Sequence, residues 1–500
     1  MGLAQGHGQF SERRVRQIGD RTTSDTAPFW LLIAVALAAI ALRLIFIWGA
    51  PAIEGDGVVY TTVALNILRN GCVSLSDPTL GACIPHWGGN QLPGYPTFIA
   101  LSWALTDDWV RAPLVAQSIA FGVAAAYVIK ALMLSGNGLR VAMVASAVLV
   151  ASPTQIAWPR MLLTETLAAA AALWILAATI RSLSEGRFRT IEIGIAFAIG
   201  FFIRYDFIFL AVPIAVLAFY LHAPTQALRR GITVALIVAI PFGAWTMRNA
   251  AVGLSPLPPS FLDSNGHALP SGVLRWIGTW VVSPYDLPIS VWPLATGEYA
   301  SIQPPDRAFA NPSEREAVAG LLAKLGPTRV GPMPPQIDAS FADLAEVRRR
   351  DFPVQQRVGL PLRRAAELWL SPLPSMGWPG EIGVGRSALL AAAKSGDVKA
   401  LFRFVQENAG PAIAKGLVAA WRYAVLGGLA FIIVASVLGY RRYPALIWLA
   451  TALAVVTTGV LGSAMLVEAR YLVPAMAWLE VAVAVTLARK PLISAGLSPS

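Results

Sequence analysis

The sequence predicts an all-α membrane protein that crosses the bilayer several times. Apolar residues make up 56% of its 500 residues and charged residues only 13%, about half of the ~25% that is usual in soluble proteins. The mean hydropathy is +0.60. So few charges cannot cover the water-exposed surface of several soluble domains. The same composition excludes intrinsically disordered, collagen-like and disulfide-scaffold proteins.

Ten apolar segments have the length and composition of membrane spans. The first, 29–50, follows a basic N-terminal tail and reaches about 33 Å as a helix, enough for the ~30 Å hydrocarbon core. It is too long for the core of a signal peptide, so we interpret it as a retained span. The other nine are 112–133, 140–157, 162–181, 191–203, 206–222, 231–249, 416–439, 443–464 and 471–488.

The distribution of basic residues predicts the orientation of these spans. With both tails, 1–28 and 491–500, in the cytoplasm, the short inner loops are rich in arginine, as the positive-inside rule requires. We expect a bacterial-type inner (plasma) membrane. The segment 191–222 contains Arg204 and Asp206 near its middle, and we divide it into two short spans that meet outside. If this segment were a single span, the orientation of every later span would be inverted.

The first outer loop, 51–111, contains two predicted helices at the membrane surface, 56–70 and 95–105. It also holds the only two cysteines of the sequence, Cys72 and Cys83. An oxidising compartment permits a disulfide bond between them, worth about 2–3 kcal/mol for so short a loop. Two unpaired thiols are equally open, and either state is structural rather than catalytic.

The region 251–415 begins with many prolines and glycines and is too long for a plain connection. We predict that it forms a cap over the extracytoplasmic face. Polar helical stretches are expected in it at 312–325, 341–350 and 386–408. The chain therefore divides into a transmembrane module at 29–250, this cap, and C-terminal transmembrane helices at 416–490.

The net charge of +11 does not indicate binding to nucleic acid, because no RNP, zinc-finger or basic-helix pattern accompanies it. Only four histidines are present, and neither HExxH nor CxxC occurs. These absences argue against a zinc site built from histidine and cysteine.

Charged residues recur at the outer ends of the predicted spans. Desolvating a charge costs several kcal/mol unless the charge is paired or used. We therefore expect these side chains to converge on one outward-facing cavity. They are Glu54, Asp56, Arg160, Glu165, Arg204, Asp206, Arg248, Glu468 and Arg470.

Structural interpretations of these charges stay open. Asp56 suits the N-cap position of the helix at 56–70, and Arg204 can form a local ion pair with Asp206. Glu480, in the last span, is expected to be the buried partner of another polar group. The side chains that can extend to lipid headgroups are Arg160, Arg470 and, inside the first span, Arg43.

Five short motifs occur in a fixed order at these span ends, at 54–60, 90–96, 160–165, 245–249 and 468–474. In this order and placement the sequence resembles the GT-C superfamily of polyprenyl-phosphate-sugar-dependent glycosyltransferases. It is most similar to glycosyltransferase family 39, with the protein O-mannosyltransferases and lipid A aminoarabinose transferases. The resemblance covers about 29–250 and 416–488 and implies a GT-C-like fold; the cap has no counterpart in it.

The resemblance implies roles for particular residues. The family's first-loop acid falls on Asp56, which becomes the candidate catalytic base. The acid of its second outer loop falls on Glu165, the second candidate catalytic residue. The residues that we expect to bind substrate are Glu54, Tyr60, His86, Tyr95, Arg160, Arg204, Arg248 and Arg470.

The chain departs from the family pattern at two places. Many relatives have a second acid directly after the first, where this sequence has Gly57, so Glu54 would have to substitute for it. A basic residue often precedes the Pro-x-Tyr stretch of the first loop, where this sequence has Asn90 and Gln91. The second departure argues against a phosphate contact in this loop.

The function that the resemblance implies is transfer of a sugar from a polyprenyl-phosphate donor to an unknown glycan, lipid or protein acceptor at the extracytoplasmic face. The leaving phosphate gains negative charge, for which arginine is a permanent bidentate partner. A carboxylate within ~3 Å takes the proton of the acceptor, and in-line displacement with one base implies inversion. No cofactor is required, and a divalent metal ion stays open.

Two other functions stay open. A transporter or flippase of lipid-linked sugars typically has repeated halves and ionisable groups near the bilayer midplane, whereas these charges stand mostly at one surface. A non-catalytic member of the same fold would only bind the lipid-linked sugar.

Overall fold

The computed structural model describes residues 28–49, 51–53, 55–81, 83–87, 92–257, 268–326, 332–371, 398–407, 409–438, 444–465 and 467–489. Several sequence predictions fall outside these ranges: the terminal tails up to residue 27 and from 490, Glu54, Asn90, Gln91 and the stretch 386–397 of a predicted cap helix.

The N-terminal half is a series of helices, with the disulfide loop between the second and the third. They are α1 (Phe29–Gly49), α2 (Asp56–Asn70), α3 (Gly94–Trp103), α4 (Arg111–Leu134), α5 (Leu139–Ala151), α6 (Glu165–Glu185), α7 (Thr190–Ile203), α8 (Ala211–Leu221) and α9 (Pro224–Ala251). The helices α2 and α3 are the two that the sequence predicts for the first outer loop.

The C-terminal half begins with short helices and ends with long apolar ones. They are α10 (Ser271–Ile277), α11 (Val291–Thr296), α12 (Pro312–Leu325), α13 (Pro335–Asp351), α14 (Leu360–Leu370), α15 (Val398–Glu407), α16 (Ala409–Val437), α17 (Ala445–Ser463) and α18 (Val473–Ala488). The predicted cap helices correspond to α12, to part of α13 and, as far as the chain is described, to α15.

Seven helices within the described ranges are long and apolar enough to cross a membrane. This confirms the all-α, multi-pass class. Three predicted spans correspond to shorter apolar helices, at Leu139–Ala151, Thr190–Ile203 and Tyr205–Leu221. Ten spans and a GT-C-like topology therefore stay predictions.

Two predicted boundaries are decided by local backbone geometry. The expected span 140–157 is too long, since α5 ends at Ala151; Ser152 has left the helix (φ −56°, ψ 115°) because the following Pro153 disfavours a helical residue before it. The segment 191–222 divides at Arg204, whose extended backbone (φ −151°, ψ 130°) ends α7.

The last helix, α18, lies at the centre of the bundle and packs against α5, α6, α16 and α17. The helix α6 is rich in alanine, and such small residues let apolar helices approach closely in a membrane. Trp478 of α18 is fully buried and donates a hydrogen bond to the Ala172 carbonyl of α6 at 2.8 Å. The final span is thus held by helices from both halves of the chain.

The cap has a hydrophobic core of its own, which includes Trp276 and Phe341, with ring centroids 5.3 Å apart. The core extends onto α18 through Met476. The buried guanidinium of Arg364 donates hydrogen bonds to the carbonyls of Gly278 at 2.6 Å and Gly462 at 2.9 Å. These bonds tie the cap to the end of α17.

A polar group that we name the core cluster lies inside the bundle and consists of Arg43, Ser152, Thr154, Trp421 and Glu480. One carboxylate oxygen of Glu480 accepts hydrogen bonds from Ser152 Oγ at 2.8 Å, from Trp421 Nε1 at 2.8 Å and from Thr154 Oγ1. Glu480 is thus the buried partner of other polar groups, as the sequence predicts.

The prediction that Arg43 extends outward to the headgroups is wrong. Its side chain is fully buried, its guanidinium lies 3.7 Å from the centroid of the Phe121 ring, and Nη1 donates to the Ala39 carbonyl at 3.0 Å. Arg43 and Glu480 are close enough to interact electrostatically. The opposite charge and the aromatic face offset part of the cost of burying the guanidinium.

Candidate functional site

Asp56 is the first residue of α2, directly after the first span. The N-cap position belongs to Gly55 (φ +53°), and the carboxylate of Asp56 makes no capping hydrogen bond. It instead accepts a hydrogen bond at Oδ2 from Nη1 of Arg470, at 2.8 Å. The side chain of Asp56 is 49% exposed. The structure therefore assigns Asp56 an ion pair rather than a capping role.

Arg470 lies in a 3-10 turn, Ala469–Leu472, just before α18. Its guanidinium contacts Glu468 as well as Asp56, so that it stands between two carboxylates. Its side chain is 16% exposed. A guanidinium with two acidic neighbours keeps its charge and its orientation, since both carboxylates favour the charged form.

Arg204 forms a second, buried set of ion pairs beside the first. Nη1 donates to Oε1 of Glu165 at 2.9 Å and to Oγ1 of Thr164 at 3.0 Å, while Nε and Nη2 donate to the two oxygens of Asp206 at 2.9 and 2.8 Å. Burial lowers the pKa of Arg204, but Asp206 and Glu165 more than offset it, so the pKa lies above its ordinary value. The local ion pair with Asp206 is present and extends to Glu165.

Glu165 is the first residue of α6 and only 1% exposed. Its Oε1 binds Arg204, and its Oε2 is buried without a hydrogen-bond partner among the described residues. A buried carboxylate oxygen without a donor is costly. The site therefore holds a strong acceptor that the surrounding side chains leave unused.

Tyr471 joins the two ion-pair sets. Its ring centroid lies 5.0 Å from the guanidinium carbon of Arg204 and 5.2 Å from that of Arg470. Both separations are within the range of cation–π attraction. Sequence reasoning overlooked Tyr471, although it directly follows Arg470 in the last motif.

We name these residues the end cluster: Asp56, Glu165, Arg204, Asp206, Glu468, Arg470 and Tyr471. The cluster joins four parts of the chain, namely the starts of α2 and α6, the α7–α8 junction and the turn before α18. The predicted convergence of charged residues from the span ends therefore holds for the six charged residues of this cluster.

Two predicted substrate contacts, Tyr60 and Tyr95, lie beneath the cluster and are both buried. Their ring centroids are 5.2 Å apart, and Tyr95 donates to Gln117 Oε1 at 3.1 Å. Burial, and next the negative charge of Asp56, raise the pKa of Tyr60 well above its ordinary value. A fully buried Tyr95 supports the site from below and does not line it, contrary to its predicted contact with substrate.

Gly94 lets the helix that carries Tyr95, α3, pack closely against the end of α7. A Cβ atom on Gly94, the first residue of α3, would lie 2.4 Å from the carbonyl oxygen of Phe202 in α7. Only glycine permits this approach of α3 to the α7 end that precedes Arg204.

Arg160 is buried, at 6% exposure, which contradicts the alternative that it extends to lipid headgroups. Its backbone carbonyl accepts a hydrogen bond from Ala52 N at 2.9 Å, and the Ala52 carbonyl accepts one from Leu162 N at 3.1 Å. This short pairing holds the turn before α6 against the end of the first span.

Arg248 and His86 lie at another place, the disulfide loop. Cys72 and Cys83 are joined in a disulfide, with Cα atoms 6.4 Å apart. Nη1 of Arg248 donates to the His86 carbonyl at 2.9 Å and Nη2 to the Val73 carbonyl at 3.2 Å. The structure therefore uses Arg248 to hold this loop on the end of α9, and does not bring it to Asp56 as predicted.

Within the described part of the chain, no group of three or more His, Cys, Asp or Glu residues is arranged to hold a metal ion. The end cluster is instead an alternation of carboxylates and guanidiniums around one tyrosine. Such an arrangement can present a fixed positive charge to an anion and a carboxylate to a proton donor.

The chain matches no protein-family model, no curated protein and no solved structure. A multi-pass helical membrane protein with a charged cluster at one end of its bundle is the class that the fold and the site define.

Proposed function

We propose that the protein is an inverting glycosyltransferase that moves a sugar from a polyprenyl-phosphate donor to an acceptor at the extracytoplasmic face. The observation that carries the proposal is the ion pair between Asp56 and Arg470, whose residues are 414 positions apart in the chain. The pair is partly exposed, at the ends of apolar helices. A lipid-linked donor would present its phosphate at that level, with its chain among the lipids.

Arg470 is the arginine best suited to the donor phosphate. Both Arg204 and Arg470 contact two carboxylates, but Arg204 is only 3% exposed, whereas Arg470 is 16% exposed. As the bond between sugar and phosphate breaks, negative charge grows on the phosphate, and a guanidinium held in place stabilises that charge without reorganisation. Tyr471 would hold the Arg470 guanidinium in position.

Asp56 would act as the base. The acceptor hydroxyl or amine attacks the anomeric carbon and gives its proton to the carboxylate of Asp56. The bond from that carbon to the phosphate oxygen breaks at the same time, and polyprenyl phosphate leaves with the electron pair. A single in-line displacement inverts the anomeric configuration. The step needs no cofactor, and metal dependence is a separate question for experiment.

The proposed orientation places the end cluster outside a bacterial-type inner membrane and both termini in the cytoplasm. The exposed arginines Arg140, Arg187 and Arg229 stand at the opposite end of the helices, as the positive-inside rule requires of the cytoplasmic side. The acceptor can be a glycan, a lipid or a protein, and membrane lipids surround the bundle.

The direct test is sugar transfer by the purified chain in proteoliposomes. A panel of polyprenyl-phosphate sugars is supplied, and the acceptor is analysed by mass spectrometry. We expect Asp56→Asn to lower the rate by a factor of about 10² to 10⁴, the usual contribution of a general base. Asp107→Asn is the matched control, because Asp107 is an exposed aspartate of the same loop. Full activity of Asp56→Asn would reject the proposed base.

One observation favours a transporter or flippase of lipid-linked sugars as a second candidate. Arg43 and Glu480 are ionisable and fully buried within spans, where such residues often mark a transport path. In the core cluster, however, Oε1 of Glu480 is held by hydrogen bonds from Ser152, Thr154 and Trp421, which fix the carboxylate in place. A flippase would move labelled lipid across the bilayer with its glycosidic bond intact, and the same proteoliposomes report that outcome.

A further inference from the structure

The end of the bundle opposite the end cluster carries two turns that are tied together. Arg230, at the start of α9, donates from Nη1 to the Phe188 carbonyl and to Thr190 Oγ1, both at 3.3 Å. The Phe188 N–H donates to Nε2 of His222 at 3.4 Å. The α6–α7 turn and the α8–α9 turn therefore form one surface. We name it the two-turn patch and define it as residues 187–190 and 222–230.

The acids beside the patch are already paired with Arg181 and with Arg189, which itself belongs to the patch. Glu185 contacts Arg181 at 3.3 Å and Arg189 at 2.6 Å. Glu192 contacts Arg189 at 3.0 Å and also accepts from the Tyr127 hydroxyl. These side chains form a closed network that ties α4, α6 and α7. They leave no acid of these two turns for the other three arginines of the patch, Arg187, Arg229 and Arg230.

Three arginines of the patch are thus without a carboxylate contact in the described part of the chain. Arg187 and Arg229 are exposed, and Arg230 binds only neutral oxygens. The N-termini of α7 and α9 begin in the same two turns and add the positive end of their dipoles.

Apolar side chains frame this positive surface on its membrane side. Ile191 and Ile232, one turn or less from the arginines, are exposed, as are Leu228 and Phe219. An anion that fits here must therefore carry apolar chains below its charge. A soluble anion would satisfy the arginines but leave this apolar rim without a partner.

We propose that the two-turn patch binds the phosphate headgroup of an anionic phospholipid in the leaflet at that end of the bundle. Arg187 and Arg229 would contact the phosphate, Arg230 would keep the two turns in register, and the acyl chains would lie on the exposed residues of α7, α8 and α9. This site is independent of the end cluster and of the proposed sugar transfer.

The test uses the full chain in detergent and measures bound lipid by native mass spectrometry. Phosphatidylglycerol and phosphatidylcholine with the same acyl chains are offered in equal amounts. We expect the wild type to retain phosphatidylglycerol preferentially and Arg187→Gln/Arg229→Gln to lose that preference by on the order of tenfold. The control is Arg140→Gln, an exposed arginine at the same end, on α5, and it should keep the preference.

Three outcomes would overturn the proposal. They are equal retention of both lipids by the wild type, an unchanged preference in the double variant, and complete displacement of the lipid by millimolar inorganic phosphate, which would indicate a site for a free anion. Because the side chains of Arg187 and Arg229 are exposed, we expect the double variant to lose the lipid without a change in melting temperature.

Discussion

The end cluster and the core cluster both place an arginine near a carboxylate, but they differ in what surrounds the charges. Asp56 and Arg470 are 49% and 16% exposed and contact each other directly. Glu480 and Arg43 are 1% and 0% exposed; hydroxyl and indole groups donate to Oε1 of Glu480, and Nη1 of Arg43 donates to a backbone carbonyl. A charge that remains reachable can act on a ligand, whereas one enclosed by neutral donors can only hold helices together.

This difference has an energetic basis. A buried charge that loses its partner costs about 3–5 kcal/mol, whereas an exposed pair contributes about 0–1 kcal/mol to stability. Substitutions in the core cluster should therefore change stability, and those in the partly exposed pair of Asp56 and Arg470 should change mainly activity. Each prediction below tests one side of that contrast.

The largest effect is expected for Arg470→Gln. The change removes the partly exposed guanidinium proposed to bind the donor phosphate, so kcat/KM for sugar transfer should fall by about 10²-fold or more. Some loss of stability should accompany it, because Glu468, whose side chain is 12% exposed, also loses its guanidinium partner. Kinetics in proteoliposomes and a thermal unfolding curve measure the two quantities. Normal kinetics with a large loss of stability would reverse the roles of the two clusters.

The next effect is a loss of stability from Glu480→Leu. It leaves the donors of Ser152, Thr154 and Trp421 buried without an acceptor and should cost about 2–4 kcal/mol. Glu480→Gln keeps an acceptor oxygen and should cost about 1 kcal/mol. Reversible unfolding in mixed micelles measures both. If the two variants were equally stable, the hydrogen bonds of the core cluster would have no stabilising role.

Removing the disulfide should have a smaller effect on stability and little on transfer. The bond between Cys72 and Cys83 closes a short loop, whose opening is expected to cost about 2–3 kcal/mol. The double variant Cys72→Ser/Cys83→Ser, compared with wild type with and without reductant, measures the loss by thermal shift. The variant itself should be insensitive to reductant. A loss of transfer activity would show that the loop held by Arg248 also positions the end cluster.

The smallest effect is expected for Tyr471→Leu. The ring stands between the guanidiniums of Arg204 and Arg470, and its loss should raise KM for the donor about fivefold, since a cation–π contact is worth about 1 kcal/mol. Tyr471→Phe keeps the ring and should stay within about twofold of wild type. Donor titrations distinguish the two variants. Equal KM values for Tyr471→Leu and Tyr471→Phe would show that the ring has no role in donor binding.

Much of the local architecture followed from sequence pattern. The helices Asp56–Asn70 and Pro312–Leu325 begin and end where the sequence places them. The helix α2 stops at Gly71, which lies in the left-handed region, and α12 starts after Asn311, whose side chain caps its N-terminus. Such signals act within a few residues, so one sequence is enough to find them.

The partners of the charged residues were predicted less well from the sequence. Arg43 and Arg248 were expected at the headgroups and at the donor phosphate, yet one is enclosed in the bundle and the other holds the disulfide loop. Tyr471 was overlooked although it stands between two arginines. A charged or aromatic residue at a span end looks the same in the sequence whichever partner it meets.

The chain's own residues thus determined its class, a multi-pass helical protein, because apolar length and the near absence of charge act locally along each segment. The packing of distant helices decided which carboxylate meets which guanidinium. Asp56 and Arg470 pair because α18 lies at the centre of the bundle and begins beside the first outer helix. Nothing within a few residues of either side chain encodes that contact.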